Sequence, residues 1–301
     1  MTQPTQAFQN PQYLVETDWL AGHLHERNLR VLDCTVYLPN YFDESAGQKV
    51  EIVSGREHWE QEHIPGGGFA DLINDLSDQH NSRFMFPMPS ADQFAEAMSR
   101  YGIGDGTRVV LYDNMANIWA ARVWWMLRTF GFDNAAVLNG GWAKWTAENR
   151  PISTAPSTHP QAQFTARPRP DLIATKDEVL AAIDSPATCL VNALDPDEYA
   201  GRGPVRYGRP GHIPSSVNVS FLNVLDLETN TYLRPEQLQE QFKNAGAMKK
   251  DRIITYCGGA IAASSDAFVL TLLGVDNVAI YDGSMTEWAA DPALPLVTGE
   301  Q

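Results

Sequence analysis

Cysteine is scarce: the 301 residues carry three, at positions 34, 189 and 257, and none belongs to a CxxC pair. That argues against a disulfide framework and against a cysteine zinc site, and it fits a reducing cytoplasm. His, Cys and Asp nowhere fall at ligand spacing, so a metal site has little support. Positive charge is also short, with 22 Lys and Arg against 37 Asp and Glu and a net charge of −15. Nucleic acid and anionic membrane are therefore poor partners, and an anionic substrate would need a local positive patch. There is no apolar run of membrane length. The first residues, MTQPTQAFQN, lack the basic start and apolar core of a signal peptide. Walker-type, HExxH and GxSxG motifs are missing. Gly102-Ile-Gly104-Asp-Gly106 precedes a strand pattern rather than following one, so it reads as a turn and not as a dinucleotide fingerprint.

What is present suggests an ordinary globular chain, 44% hydrophobic and 20% charged, of about two domains by length. The most informative stretch is DRIITYCGGAIAASSDA, from Asp251 to Ala267. Arg252 to Tyr256 is a short β-branched run that predicts a buried strand. Cys257-Gly258-Gly259 predicts a tight turn. Ala260 to Leu273 predicts a helix with Ile261, Ser265, Phe268 and Leu272 on one face and Gly274 as its stop. A cysteine between a strand end and a helix N-terminus faces unpaired N–H groups that favour an anion. The expected result is a lowered thiol pKa and a nucleophilic sulfur. A cysteine ending a strand is more often a small buried hydrophobe. The paired glycines and the helix start favour chemistry instead. Cys34 and Cys189 lack that context and read as core residues.

The same pattern occurs earlier without the cysteine. TRVVLYDNMANIWAARVWWMLRTFGFDNAAVLNGGWAKW, from Thr107, aligns with DRIITYCGGAIAASSDAFVLTLLGVDNVAIYDGSMTEW, from Asp251, with a single gap in the loop. Gly131 pairs with Gly274 and Gly140 with Gly283. EHIPGG (62–67) matches GHIPSS (211–216), and Val31-Leu32-Asp33 matches Leu190-Val191-Asn192. Opposite Cys257 stands Asp113. Residues 151–171 carry five prolines and predict an extended linker. The expected domains are 11–150 and 172–301. Tyr37 to Ser54 reads as a long polar excursion. Thr175-Lys-Asp-Glu178 reads as a capping box. Trp119, Trp124 and Trp125 read as core or interface. Arg202, Arg206 and Arg209 share one Gly- and Pro-rich loop. Two readings of it stay open, a solvated turn and an anion gate beside Cys257.

Two α/β units, each with an HIP segment, and a YCGG loop only in the second, followed by DGS…EW, resemble the tandem-domain rhodanese family, the thiosulfate and 3-mercaptopyruvate sulfurtransferases. The resemblance spans about Thr17 to Pro295. It implies an α/β fold of two tandem rhodanese-like domains, each a mainly parallel sheet flanked by helices. It implies a silent first domain and a catalytic second one. It also implies a cofactor-free ping-pong reaction through a Cys257 persulfide held by the N–H groups of Gly258, Gly259, Ala260, Ile261, Ala262 and Ala263. The donor would be thiosulfate or 3-mercaptopyruvate. The acceptor would be a thiol, a thioredoxin-like protein or cyanide. Arginines before the HIP segment would hold the donor's anionic group, which favours the gate reading. An uncharged C-G-G-A-I-A loop points to mercaptopyruvate.

The chain also departs from the family. Ala260 replaces the usual glycine, where a positive φ would strain it, Ala262 replaces a hydroxyl or cationic residue, and Asn192-Ala-Leu194 replaces Asp-x-Arg. These departures support the competing reading of a weakly active or non-catalytic sulfur carrier or interaction module. A cysteine phosphatase is a poor reading, because the arginine it needs six positions after the cysteine is Ala263. The two units are expected to face each other across the site, with His63 and Arg56 reaching over and the Asp113 turn and the Trp119 helix standing back.

Overall fold

The structure is a computed structural model that describes residues 7–41, 50–81, 85–155, 157 and 159–299. The first unit has strands β1 (Leu14–Val15), β2 (Leu29–Asp33), β3 (Gly68–Phe69), β4 (Arg108–Tyr112) and β5 (Ala135–Leu138). The second has β6 (Ile173–Ala174), β7 (Thr188–Asn192), β8 (Val217–Asn218), β9 (Arg252–Tyr256) and β10 (Val278–Tyr281). The two five-stranded sheets run β1-β5-β4-β2-β3 and β6-β10-β9-β7-β8, the same order twice. Every pairing within them is parallel. Parallel strands are covered on both faces, which is why the long ones read as apolar runs rather than alternating ones. Of the excursion from Tyr37 to Ser54, residues 42–49 lie outside the described residues, while Val36–Tyr37 and Val53–Ser54 at its ends pair as a hairpin.

Helices repeat in step. The first unit has α1 (Thr17–His23), α2 (Arg56–Gln61), α3 (Ala91–Arg100), α4 (Ile118–Thr129) and α5 (Gly141–Ala147). The second has α6 (Lys176–Ala182), α7 (Pro196–Tyr199), α8 (Pro235–Asn244), α9 (Ile261–Leu272) and α10 (Ser284–Trp288). Thr175 and Glu178 form the capping box expected at the start of α6. Between α5 and the short turn at Pro170–Leu172 the described part of the chain has no helix. It follows the first unit there, with Arg167 and Arg169 donating to Phe130 O and Thr129 O at 2.8 and 2.7 Å.

The units meet where α4 packs on α9, with Trp124 edge-on to Phe268 at 4.9 Å. The single apolar face expected for α9 is too narrow: every residue from Ile261 to Leu272 is buried. One side of the helix covers its own sheet and another meets α4, and a helix covered all round needs no polar stripe. Polar links cross the same interface. Asp282 accepts from Met88 N at 2.9 Å and from Arg122 Nη2 at 2.6 Å. Asn139, at the matching position of the first unit, accepts from Tyr232 N at 2.9 Å.

Candidate active site

Cys257 lies between β9 and α9, and its loop is held from outside. Met285 N donates to Cys257 O at 2.9 Å, and Thr286 N donates to Gly258 O at 2.9 Å. The Thr286 hydroxyl gives Gly258 O a second bond at 2.6 Å. Ser284 Oγ accepts from Cys257 N and Ala260 N, each at 3.2 Å, and donates to Tyr281 O at 2.8 Å. These bonds turn the loop carbonyls toward α10. The N–H groups of Ala263, Gly259 and Ala262 are left facing the sulfur, and that of Ala260 is shared with Ser284 Oγ.

Two expectations meet their outcome here. Ala260 does occupy the left-handed region, at φ +65°, where a Cβ costs about 1–2 kcal/mol. The thiol pKa, by contrast, is not lowered. Burial pushes the Cys257 thiol above its ordinary value, and the surrounding N–H groups offset only part of that. The helix N-terminus favours the anion, but removal of water from a residue only 2% exposed is the larger effect.

The first unit shows what this loop shape holds. Asp113, at the Cys257 position, accepts from Met115 N and Asn117 N at 2.6 and 3.2 Å through one oxygen. Its other oxygen accepts from Ala120 N at 2.8 Å. Trp142 N binds Asp113 O at 3.0 Å, as Met285 N binds Cys257 O. A carboxyl group thus fills the silent cradle, and burial raises its pKa to about 7.

Beside Cys257 is a cavity of about 300 Å³. Gly258, Gly259, Ile261 and Ala262 line it from the second unit, and Asn114, Met115, Ala116, Ile118 and Trp119 from the first. The Asp113 turn and the Trp119 helix therefore form a wall rather than standing back. Packing α4 on α9 brings both helix N-termini to the same place. His63 and Arg56 do not reach over. His63 bonds Trp59 O and Ala155 O, and Arg56 pairs with Asp71 at 3.1 Å. Ala260 and Ala263 contribute N–H groups near the sulfur without lining the cavity.

None of the three arginines lines the cavity either. Arg202 pairs with Asp197 at 2.8 Å on the surface. Arg209 donates to the carbonyls of Ala289, Leu294, Trp288 and Asp291, and so ties down the chain after α10. Arg206 makes a buried ion pair with Glu198 at 2.6 Å and lies over the Tyr41 ring at 4.7 Å. A cluster in sequence is dispersed because each guanidinium finds nearer acceptors. Arg206 still bears on the site from behind. Glu198 accepts from Tyr41 Oη at 3.0 Å, Tyr41 Oη lies 3.4 Å from Tyr207 Oη, and both tyrosines line the cavity. A Cβ at Gly258 would overlap the Tyr207 phenol, so this ring needs glycine beneath it. Tyr41, Tyr207, Ser284 and Thr286 were not singled out from sequence. The last two lie inside the DGS…EW segment, whose repetition as NGG…KW was the available signal.

Two parallel α/β units that enclose a cysteine on an N–H cradle define a class of thiol-bearing two-unit proteins. The chain matches the family model for the rhodanese-like domain twice, at residues 16–148 and 175–291. It is 32% identical to the 3-mercaptopyruvate sulfurtransferase of Rattus norvegicus over 91% of each chain. It is 34% identical to thiosulfate/3-mercaptopyruvate sulfurtransferase 2 of Arabidopsis thaliana, over 94% of this chain and 86% of that one. The crystal structure of the Escherichia coli 3-mercaptopyruvate sulfotransferase SseA superposes with a TM-score of 0.79 at 27% identity, covering 90% of this chain and 98% of the other. The chain belongs to the rhodanese-like family, among its two-unit sulfurtransferases.

Proposed function

We propose that the protein moves a sulfur atom from thiosulfate or 3-mercaptopyruvate to a thiol, a thioredoxin-like protein or cyanide, through a persulfide on Cys257. The observation that carries this reading is the place of Cys257, between a strand end and a helix N-terminus, with its loop carbonyls bound to α10 and the residue at the wall of a cavity. The thiol proton passes to solvent. Cys257 Sγ then bonds to the donor's outer sulfur, whose old bond breaks, and its electron pair leaves with sulfite or pyruvate enolate. The persulfide anion stays in the cradle, where N–H groups stabilise it without reorganising. An acceptor nucleophile then takes the outer sulfur and frees the Cys257 thiolate. In this reading residues 172–301 carry the chemistry, residues 11–150 supply a wall, residues 151–171 connect them, and a reducing cytoplasm is the setting. Gly258, Gly259, Ala260, Ile261, Ala262 and Ala263 serve the bound sulfur. Arg206 serves the donor indirectly, by positioning Tyr41 and Tyr207.

The test is single-turnover loading followed by cyanide capture. Cys257→Ser is expected to abolish both persulfide and thiocyanate, while Cys34→Ser and Cys189→Ser keep most of the activity. Full turnover in Cys257→Ser would sink the mechanism. A second reading, a carrier or interaction module with little catalysis, draws on the raised thiol pKa and the strained Ala260. It predicts that Cys257 takes up sulfur without a catalytic burst.

A further inference from the structure

We infer that the first unit binds a small aromatic carboxylate in a cavity of its own, separate from the one beside Cys257. The inference goes beyond the sulfur-transfer reading and does not depend on it. This second cavity, of about 290 Å³, lies against β3, the edge strand of the first sheet. Arg56 and Trp59 of α2, Phe69 of β3, Arg100 at the end of α3 and His159 line it. Arg56, which does not reach Cys257, points its chemistry here instead. Counting from the paired HIP segments and from α3 and α8, the second unit has Val205, Gly208, Asn218 and Asn244 at the places of Arg56, Trp59, Phe69 and Arg100. The cations and the rings thus belong to the copy that lacks the thiol.

Carboxylates that stand outside the lining hold both guanidiniums in place. Arg56 pairs with Asp71 at 3.1 Å, and Arg100 pairs with Asp75 at 2.8 Å and with Glu96 at 3.0 Å. A guanidinium has five N–H donors, and these bonds use one on Arg56 and two on Arg100. The donors left over suit a carboxylate, which takes two parallel N–H bonds from one arginine. Arg56 also lies over the Phe69 ring at 4.8 Å. Its side chain is 44% exposed, so a second ring can lie on the outer face of that planar cation. Trp59, 6.1 Å from Phe69 between ring centres, adds apolar area for the ring to cover. Burial and the nearby Arg30 hold His159 below its ordinary pKa, and its Nε2 faces Gly66 O at 3.2 Å, so the positive charge comes from the arginines. With three carboxylates behind two guanidiniums the field is weak. A single charge recognised by hydrogen-bond geometry therefore fits better than a phosphate dianion. The volume is at the lower end of pockets that enclose organic ligands, roughly 300–1,000 Å³, which suits a body of one or two rings.

The experiment is calorimetric titration of the full chain with naphthoate, beside naphthylmethanol and acetate, which keep the ring without the charge and the charge without the ring. Naphthoate is expected to bind about tenfold or more tighter than either. Arg56→Gln and Arg100→Gln, at half-exposed side chains, are each expected to weaken it about tenfold and to melt near wild type, since exposed ion pairs add little stability. Naphthylmethanol or inorganic phosphate binding as tightly as naphthoate overturns the ligand class. No binding of naphthoate, or unchanged affinity in both arginine variants, overturns the site. Alkylation of Cys257 slowed by naphthoate equally in wild type and in Arg56→Gln puts the ring beside Cys257 and overturns the second cavity as its place.

Discussion

Ser284 sits at φ +47°, in the left-handed region, where the first unit has Gly141 at φ +53°. A side chain at that place costs backbone strain, so its hydroxyl must return something. It accepts two loop N–H groups, those of Cys257 and Ala260. Ser284→Ala keeps the strain, takes one acceptor from the Ala260 N–H and leaves the buried Cys257 N–H unpaired, the last at about 1–3 kcal/mol. The expected result is a fall in melting temperature together with slower persulfide loading, because the loop N–H groups lose their set. Ser284→Gly should recover stability in part by relieving φ, yet load no faster. If Ser284→Ala loads sulfur at the wild-type rate, α10 alone orders the loop.

The pairing of α4 with α9 is the element-scale counterpart. It is apolar over most of its length, with one ion pair buried at its edge. Arg122 donates to Asp282 at 2.6 Å and to Phe86 O at 2.9 Å. The guanidinium is fully buried. Removing one member of such a pair leaves a buried charge without its partner and costs about 3–5 kcal/mol. Asp282→Asn is therefore expected to lower the urea midpoint markedly. Arg122→Met should cost less, since Asp282 keeps Met88 N and is partly solvated. Equal, negligible losses in both variants would mean that the interface is held by its apolar contacts alone.

At the scale of the whole molecule, stability depends on pH through a carboxyl at the heart of α9. Asp266 is fully buried, and its oxygens find no hydrogen-bond partner among the described residues. Burial holds its pKa well above the ordinary 3.8. The unfolded chain releases this proton near that ordinary value while the folded chain keeps it. The resulting stability is whole below it and is lost as pH rises, at about 1.4 kcal/mol per pH unit up to the folded pKa. Asp113, raised to about 7, acts in the same direction. The first unit has Val123 at the Asp266 position, of similar shape. Asp266→Val is expected to stabilise the protein, and more so at about pH 7 than at about pH 5. Urea unfolding at the two pH values measures this, and a gain that does not widen with pH would mean that Asp266 is ionised and paired in solution.

The duplicated strand–loop–helix, the cysteine at its turn, the capping box at Thr175 and the left-handed demand on Ala260 were all legible in the sequence. Each depends on residues close along the chain, where backbone geometry and side-chain period act directly. Three features required the tertiary structure. The fate of the arginines depended on which acceptors came nearest. Arg209 found four carbonyls after α10 and Arg206 found Glu198, contacts that loop composition does not encode. The thiol pKa depended on how much water the neighbouring unit removes, and helix-end electrostatics, which are local, lost to that burial. The cavity's apolar wall depended on α4 packing along α9 with both N-termini at the cavity, so that the turn around Asp113 faces Cys257. Local conformation follows from neighbours in sequence. Solvation and partner choice follow from neighbours in space, and here those neighbours come from the other copy of the unit.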